Sequence, residues 1–306
     1  MNKHVPVVFT FDRRVLRPSA VALQSLMDAA SPSTTYDIHV LHPDIADKYI
    51  AALQKMGASS RHSITFHQLS PRRFSGLPTN KGSWTEIVYY RFVIPEILPQ
   101  YDRVIYSDMD VFFTGDLSSL MEIDMHDCPI GAVIGEINGP DMQCHNYFPE
   151  NTKKHVHMSG FLLMDLKKMR EDVLTQHLLE TAARFADRLR MFDLDTLNLA
   201  CPKMFSLPFT YCVLESIYAA DDISQAGEFP WLNKVYSREE LEAAKASPII
   251  IHYAGALGKP WRRADVPPYY QAYLDRVPAV LCRRTLRDLR KYWVSKIFGS
   301  SKKANR

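Results

Sequence analysis

The sequence predicts an α/β protein: a Rossmann-like mixed sheet flanked by helices, followed by a basic helical tail. Three observations carry that reading. From Val5 to Phe66, apolar runs of strand length alternate with amphipathic helical spacing, the β-α-β-α-β order of a largely parallel sheet. Between Val104 and Phe113 an apolar run meets Asp108-Met109-Asp110 and then a second apolar run. From Val277 to Arg306 there are nine Lys or Arg against one acid, whereas the remaining residues carry 28 basic and 33 acidic groups. A mildly acidic body thus ends in a strongly basic tail.

In chain order, Val5–Thr10 reads as a first buried strand. Arg17–Ala30 follows with Val21, Leu23, Leu26 and Met27 at helical spacing, stopped by Ser31-Pro32-Ser33. Tyr36–Leu41 alternates like a strand, Ile45–Met56 is amphipathic, and Ser63–Phe66 is a third short strand. Gly76–Trp84 is a polar loop, and Glu86–Leu98 is expected to be a helix closed by Pro99. The strand ending at the two aspartates comes next, then a strand over Ile130–Ile134 and a loop-rich stretch from Gly135 to His155. Phe161–Met164 is expected as a short buried strand, Leu166–Arg190 as mainly helical, and Asp195–Ala200 as the start of another helix. Pro248–Tyr253 is the last apolar strand, and Pro267–Pro278 is expected to be a hinge into the tail.

The 306 residues can bury a sizeable core, and 46% hydrophobic with 23% charged residues is ordinary for a globular chain. No apolar run approaches the ~20 residues that span a bilayer. Asp12 interrupts the N-terminal apolar run, which does not read as a signal peptide. Cys128, Cys144, Cys201, Cys212 and Cys282 form no Cys-x-x-Cys pair, which fits reduced thiols in a cytoplasmic protein better than a disulfide framework or a zinc site.

Asp108 and Asp110 carry the sharpest chemical signal. In extended backbone, residues i and i+2 share a side, so two carboxylates at the end of a buried strand can aim at one hard cation. Open α/β sheets bind ligands at that place, and such a cation receives phosphorylated substrates. The competing reading is a surface turn in which Asp caps the next element; the flanking apolar runs argue against it.

Four segments in order resemble retaining glycosyltransferases of family eight, the group of bacterial lipopolysaccharide galactosyl- and glucosyltransferases. Tyr106-Ser107-Asp108-Met109-Asp110-Val111 resembles its Asp-x-Asp strand end. Ser159-Gly160-Phe161-Leu162-Leu163-Met164-Asp165-Leu166-Lys167-Lys168-Met169-Arg170 is similar to its Asn-Ser-Gly-Val-Leu-Leu-Ile-Asn-Leu-Lys-Lys-Trp-Arg segment. Asp193-Leu194-Asp195-Thr196-Leu197-Asn198 resembles its Asp-Gln-Asp-x-Leu-Asn, and Ile251-His252-Tyr253-Ala254-Gly255 with Lys259-Pro260-Trp261 resembles its His-Tyr-x-Gly and Lys-Pro-Trp.

The resemblance implies a GT-A fold over residues 1–266, a divalent cation (Mn2+, or Mg2+), a UDP-sugar donor and a glycan or glycolipid acceptor such as lipopolysaccharide core. It implies Asp108, Asp110 and His252 as metal ligands. It implies donor contacts from Thr10, Asp12, Arg91, Asp108, Met109, Asp110, Ser159, Gly160, Asp195, Gly255 and Lys259, with Asp193 and Lys259 as the catalytic pair. Asp193 would hold sugar hydroxyls and Lys259 would pair with the diphosphate. Helix capping is the alternative for Asp193 and Asp195, a structural ion pair for Arg91, and a satisfied core histidine for His252.

The sequence departs from that family where Leu194 replaces Gln, Met158 replaces Asn, Gly135 replaces an acid, and Arg13-Arg14-Val15 replaces a polar and aromatic stretch. Gly255 to Lys259 is one residue longer than the common spacing. These departures leave the donor open and keep two alternatives: a non-catalytic sugar-nucleotide or glycan-binding relative, and a haloacid-dehalogenase-type phosphatase, whose first motif also begins Asp-x-Asp. In the tail, residues 267–306, Cys282, Leu286, Leu289, Trp293 and Ile297 fall at helical intervals among arginines and lysines. This is the pattern of a helix lying on an anionic membrane surface, which implies a peripheral position on the inner face of the cell membrane. No nucleic-acid recognition module accompanies the charge, so nucleic-acid binding is not expected.

Overall fold

A computed structural model describes residues 3–80 and 84–282. The amphipathic tail expected from Cys282 onward lies, from residue 283, outside the described residues. The chain begins β1 (Lys3–Thr10), α1 (Leu16–Asp28), β2 (Thr34–His42), α2 (Asp47–Ala58) and β3 (Ser63–Gln68), as the apolar spacing predicts. The expected Glu86–Leu98 helix is instead a 3-10 segment, Glu86–Val93, followed by one α turn, α3 (Ile94–Ile97). Pro95 has no N–H to extend a ladder from the preceding turn and sits where a new helix starts.

β4 (Arg103–Ser107) and β5 (Val111–Phe113) flank the aspartates, and β6 (Ile130–Ile137) follows. β7 (His155–Asp165) has 11 residues, far more than the four expected, because His157 and Ser159, polar yet buried, interrupt the apolar run that signals the strand. Helical structure after it is split into α4 (Leu166–Glu171) and α5 (Leu174–Arg184), with Val173 at φ 53° between them. α6 (Phe192–Ala200) starts three residues earlier than expected and so takes both Asp193 and Asp195 into its first turn, where acids favour the helix dipole. The short strands β8 (Phe205–Leu207) and β9 (Val213–Leu214) were not expected. The described residues continue with α7 (Glu215–Ala219), α8 (Phe229–Leu232), α9 (Arg238–Ala246), β10 (Ile250–His252) and α10 (Pro268–Leu274). α10 replaces the expected hinge: Tyr269, Tyr270 and Tyr273 pack their rings on Phe112 of the body.

The main sheet has the order β3-β2-β1-β4-β7-β6-β8. β3, β2, β1 and β4 are mutually parallel, and β7 runs antiparallel to both β4 and β6, so the sheet is mixed. Alternate residues feed two apolar layers: Val7, Phe9, Ile105 and Leu163 enter one, and Val8, Val104, Tyr106 and Leu162 the other. After β3 the chain returns to the opposite side of β1, which makes the β1–β4 border the topological switch point where such sheets open a ligand crevice. A second small sheet, β5-β10-β9, lies beside it; its antiparallel register sets His252 opposite Val111, one residue from Asp110.

Candidate active site

β1 and β4 both end at the crevice. β1 ends at Thr10, with Asp12 two residues beyond it; β4 ends at Ser107, and Asp108-Met109-Asp110 form the bend before β5. The backbone N–H of Asp108 donates to the Gly160 carbonyl at 2.8 Å, and that of Tyr253 donates to the Asp110 carbonyl at 2.9 Å. The two aspartates are thereby pinned between β7 and β10. Oxygens of Asp108 and Asp110 and a ring nitrogen of His252 all lie within 4.8 Å of one another. Two carboxylates and an imidazole suit manganese or a similar divalent ion. Gly160 leaves the space for this group, since a Cβ there would lie 2.4 Å from His252 Cε1 and 3.2 Å from Asp108 Oδ2.

The electrostatics are arranged around Asp110. Burial works against its charge, but Lys259 and then His252 outweigh burial and hold its carboxyl well below the usual range. Lys259 Nζ pairs with Asp110 and also donates to the Tyr253 carbonyl at 2.8 Å. Burial opposes a charge on His252, yet Cys212, 3.2 Å from Nδ1, and Asp110 raise its pKa.

Arg91 organises the second half of the site. It is 3% exposed, and its guanidinium lies 2.9 Å from Asp108 Oδ1 and 3.0 Å from Asp193 Oδ2. It also donates to the carbonyls of Ser159 and Val88 and stacks 4.3 Å above the Tyr106 ring. The Tyr106 hydroxyl donates to Asp108 Oδ1 at 2.6 Å and lies 2.9 Å from Thr10 Oγ1. Arg91 thus forms the ion pairs and also lines the cavity. Asp193 is pushed up by burial, pulled down by Arg91 and pushed up again by Asp108, to a pKa of about 6. Its Oδ2 touches Arg91 without hydrogen-bond geometry, which leaves a buried acceptor free for another donor.

All these groups face one cavity of about 930 Å³, and every residue assigned a metal, donor or catalytic role lines it except Asp195. Asp195 Oδ2 instead accepts the backbone N–H groups of Arg190 and Met191 at 2.8 and 2.9 Å, so it fixes the turn into α6. Asp12 lines the cavity with its carboxylate held by the backbone and Nε of Arg14 at 2.7 and 2.6 Å. Gly255 has a packing reason for being glycine: a Cβ would lie 2.5 Å from Glu228 Oε1, which accepts the Ala256 N–H at 2.6 Å. Glu228, Cys212 and His145 carried no signal in the sequence, since each stands apart from a motif and only packing brings it here; Tyr106 lies in the aspartate motif, where it reads only as part of the apolar run.

The phosphatase arrangement does not hold, because three parallel strands precede the aspartate strand and its neighbour β7 is antiparallel. The sheet order and the aspartate pair at its switch point define a GT-A nucleotide-binding fold. Residues 6–265 match the model of glycosyl transferase family 8, and the chain belongs to that family. It is 25% identical over 264 residues to the glycosyltransferase GlyF of Streptococcus pneumoniae serotype 4, covering 85% of this chain and 58%, under two thirds, of that protein. It is 23% identical over 249 residues to the lipopolysaccharide 1,2-glucosyltransferase of Escherichia coli K12, covering 79% and 69% of the two chains. Among solved structures, the galactosyltransferase LgtC in complex with donor and acceptor sugar analogs superposes with a TM-score of 0.71 at 22% identity, covering 92% of this chain and 98% of that one.

Proposed function

We propose that the protein is a metal-dependent retaining hexosyltransferase that moves glucose or galactose from a UDP-sugar to a glycan or glycolipid acceptor such as lipopolysaccharide core. The observation that carries this is the meeting of Asp108, Asp110, His252, Lys259, Arg91 and Asp193 in one cavity at the switch point. Relatives with lipopolysaccharide glucosyl- and galactosyltransferase names support the substrate class.

In this reading, Asp108, Asp110 and His252 hold a divalent cation, Mn2+ or Mg2+, which supplies charge stabilisation to the donor diphosphate. Lys259, on a flexible stem, adds a second positive charge where the leaving UDP gains negative charge. Thr10, Asp12 and Met109 face the nucleoside, Ser159, Gly160 and Gly255 line the diphosphate path, and Asp193 accepts from hydroxyls of the hexose. Arg91 keeps Asp108 and Asp193 in fixed register, a preorganisation that aligns the reacting bond. The bond from the anomeric carbon to the diphosphate oxygen breaks, and the acceptor oxygen attacks from the same face. The acceptor proton passes to the departing diphosphate oxygen. Purified protein with Mn2+ is expected to release UDP from one member of a UDP-sugar panel, and Asp110→Ala to lose that release. Tight UDP binding without release from any sugar would instead favour a non-catalytic binding relative.

The uneven charge supports a second element of the proposal, a peripheral position on the cytoplasmic face of a membrane. Among the described residues no helix is long and apolar enough to cross a bilayer, and the basic amphipathic tail suits an anionic surface. Deleting residues 282–306 is expected to abolish sedimentation with phosphatidylglycerol vesicles while UDP release persists; undiminished sedimentation refutes the tail's role.

A further inference from the structure

A carboxylate–imidazole dyad stands in the cavity wall and is used by none of the roles above. Glu136, near the end of β6, is 2% exposed. Its carboxylate accepts the backbone N–H groups of Gln143, Cys144 and His145 at 2.5, 3.2 and 3.0 Å, and faces His145 Nδ1 at 3.0 Å. Burial alone would raise the Glu136 pKa; the His145 contact and the three amides outweigh it and bring the value to about 2, so the group is ionised at neutral pH. In the neutral ring, a carboxylate acceptor at Nδ1 selects the tautomer with the proton on Nδ1 and the lone pair on Nε2. Among the described residues Nε2 has no hydrogen-bond partner, although the side chain is only 7% exposed.

The place of that free nitrogen is defined by its neighbours. The ring lies over Gly135, where a Cβ would meet His145 Cε1 at 2.7 Å, Nε2 at 3.1 Å and Met158 Cγ at 3.0 Å. The Met158 sulfur is 3.9 Å from Cys212 Sγ, which is itself 3.2 Å from His252. His145 is therefore two side chains removed from the metal group and lines the same cavity. Met158 and Leu194, which line the same wall, offer a sugar hydroxyl no strong hydrogen bond.

We propose that His145, locked in orientation by Glu136, accepts a hydrogen bond from one hydroxyl of the transferred hexose and so helps to set which hexose is taken. The proposal rests on the UDP-hexose reading above. It assigns a sugar-reading role to two residues outside every motif, with Glu136 as the positioning residue. Gly135 belongs to the same device, because a side chain there would displace the ring.

The test is calorimetric binding of UDP, UDP-glucose, UDP-galactose and their monodeoxyfluoro derivatives, with Mn2+ present, to wild type, His145→Ala and His145→Phe. A fluorine cannot donate to Nε2, so the derivative lacking the partner hydroxyl removes the interaction from the ligand side. The expected result is unchanged UDP affinity in all three proteins. Affinity for the preferred UDP-hexose falls about tenfold in both variants, the scale of one lost buried hydrogen bond. One fluoro derivative then shows no difference between wild type and variants. A deficit of equal size for every derivative, or equal UDP-hexose affinity in wild type and variants, would overturn the role of His145 while leaving the donor class intact. Failure of wild type to bind UDP would overturn both readings together.

Discussion

Gly160 shows how much of this site depends on single atoms. Its missing side chain lets His252 and Asp108 share a space that a Cβ would enter at 2.4 Å from the imidazole. Gly160→Ala is expected to displace the ring and weaken Mn2+ binding by about 10- to 100-fold, the range seen when support for metal ligands is disturbed. Calorimetric titration in the presence of UDP measures this, and unchanged affinity would show that the ring relaxes without cost. The sequence showed Asp108, Asp110, His252 and Lys259 because each sits at a fixed offset inside a recognisable segment. It did not show Tyr106 as the residue beneath Arg91, since a tyrosine in an apolar run looks the same whether its hydroxyl meets a carboxylate or not. Asp193 and Asp195 look alike in sequence. Their roles separate only because one faces Arg91 and the cavity while the other accepts two backbone amides.

Among the elements, the N-terminal strands and helices follow the apolar spacing closely, because each is local and either fully buried or clearly amphipathic. The failures have local physical causes. Pro95 divides the expected Glu86–Leu98 helix, and the partly polar first half of β7 is a strand buried through its pairing with β6 and its hydrogen bonds to Asn198 of α6. The break between α4 and α5 falls at Val173, a β-branched residue 52% exposed at φ 53°. Such a conformation costs an L-residue roughly 1–2 kcal/mol, less for asparagine. Val173→Asn should therefore stabilise the fold by about 1 kcal/mol and raise the melting temperature by about 2 °C. A melting temperature that stays level or falls would mean that the valine makes contacts outweighing the strain.

For the whole molecule, protonation links folding to pH. His39, His42, His62, His67, His155 and His157 all have pKa values lowered, chiefly by burial, with His157 at about 4. The unfolded chain binds these protons near the ordinary value of 6.5 and the folded chain does not. The stability they contribute is complete above about pH 6.5 and is lost as pH falls toward 4. His157 alone accounts for about 3 kcal/mol at the bottom of that window. Asp193 and Asp195, whose pKa values are raised, act in the opposite direction within this window, so the net loss rests on the more numerous histidines. Thermal melts should fall in temperature between pH 6.5 and 4.5, and His157→Gln should flatten the slope; parallel slopes would remove His157 as a contributor.

The sequence by itself determined the alternating α/β order, the aspartate strand end and the basic tail, because hydrophobic spacing and short motifs are written in neighbouring residues. Only the tertiary structure decided the rest. The return of the chain from β3 to the far side of β1 created the crevice. The antiparallel pairing of β5 with β10 brought His252 to Asp110 across more than a hundred residues. Burial of Arg91 between two carboxylates, and of Glu136 against His145, followed from that packing. Convergence of distant side chains is set by strand order and register, which depend on the summed burial of the whole core and leave no local trace in the chain.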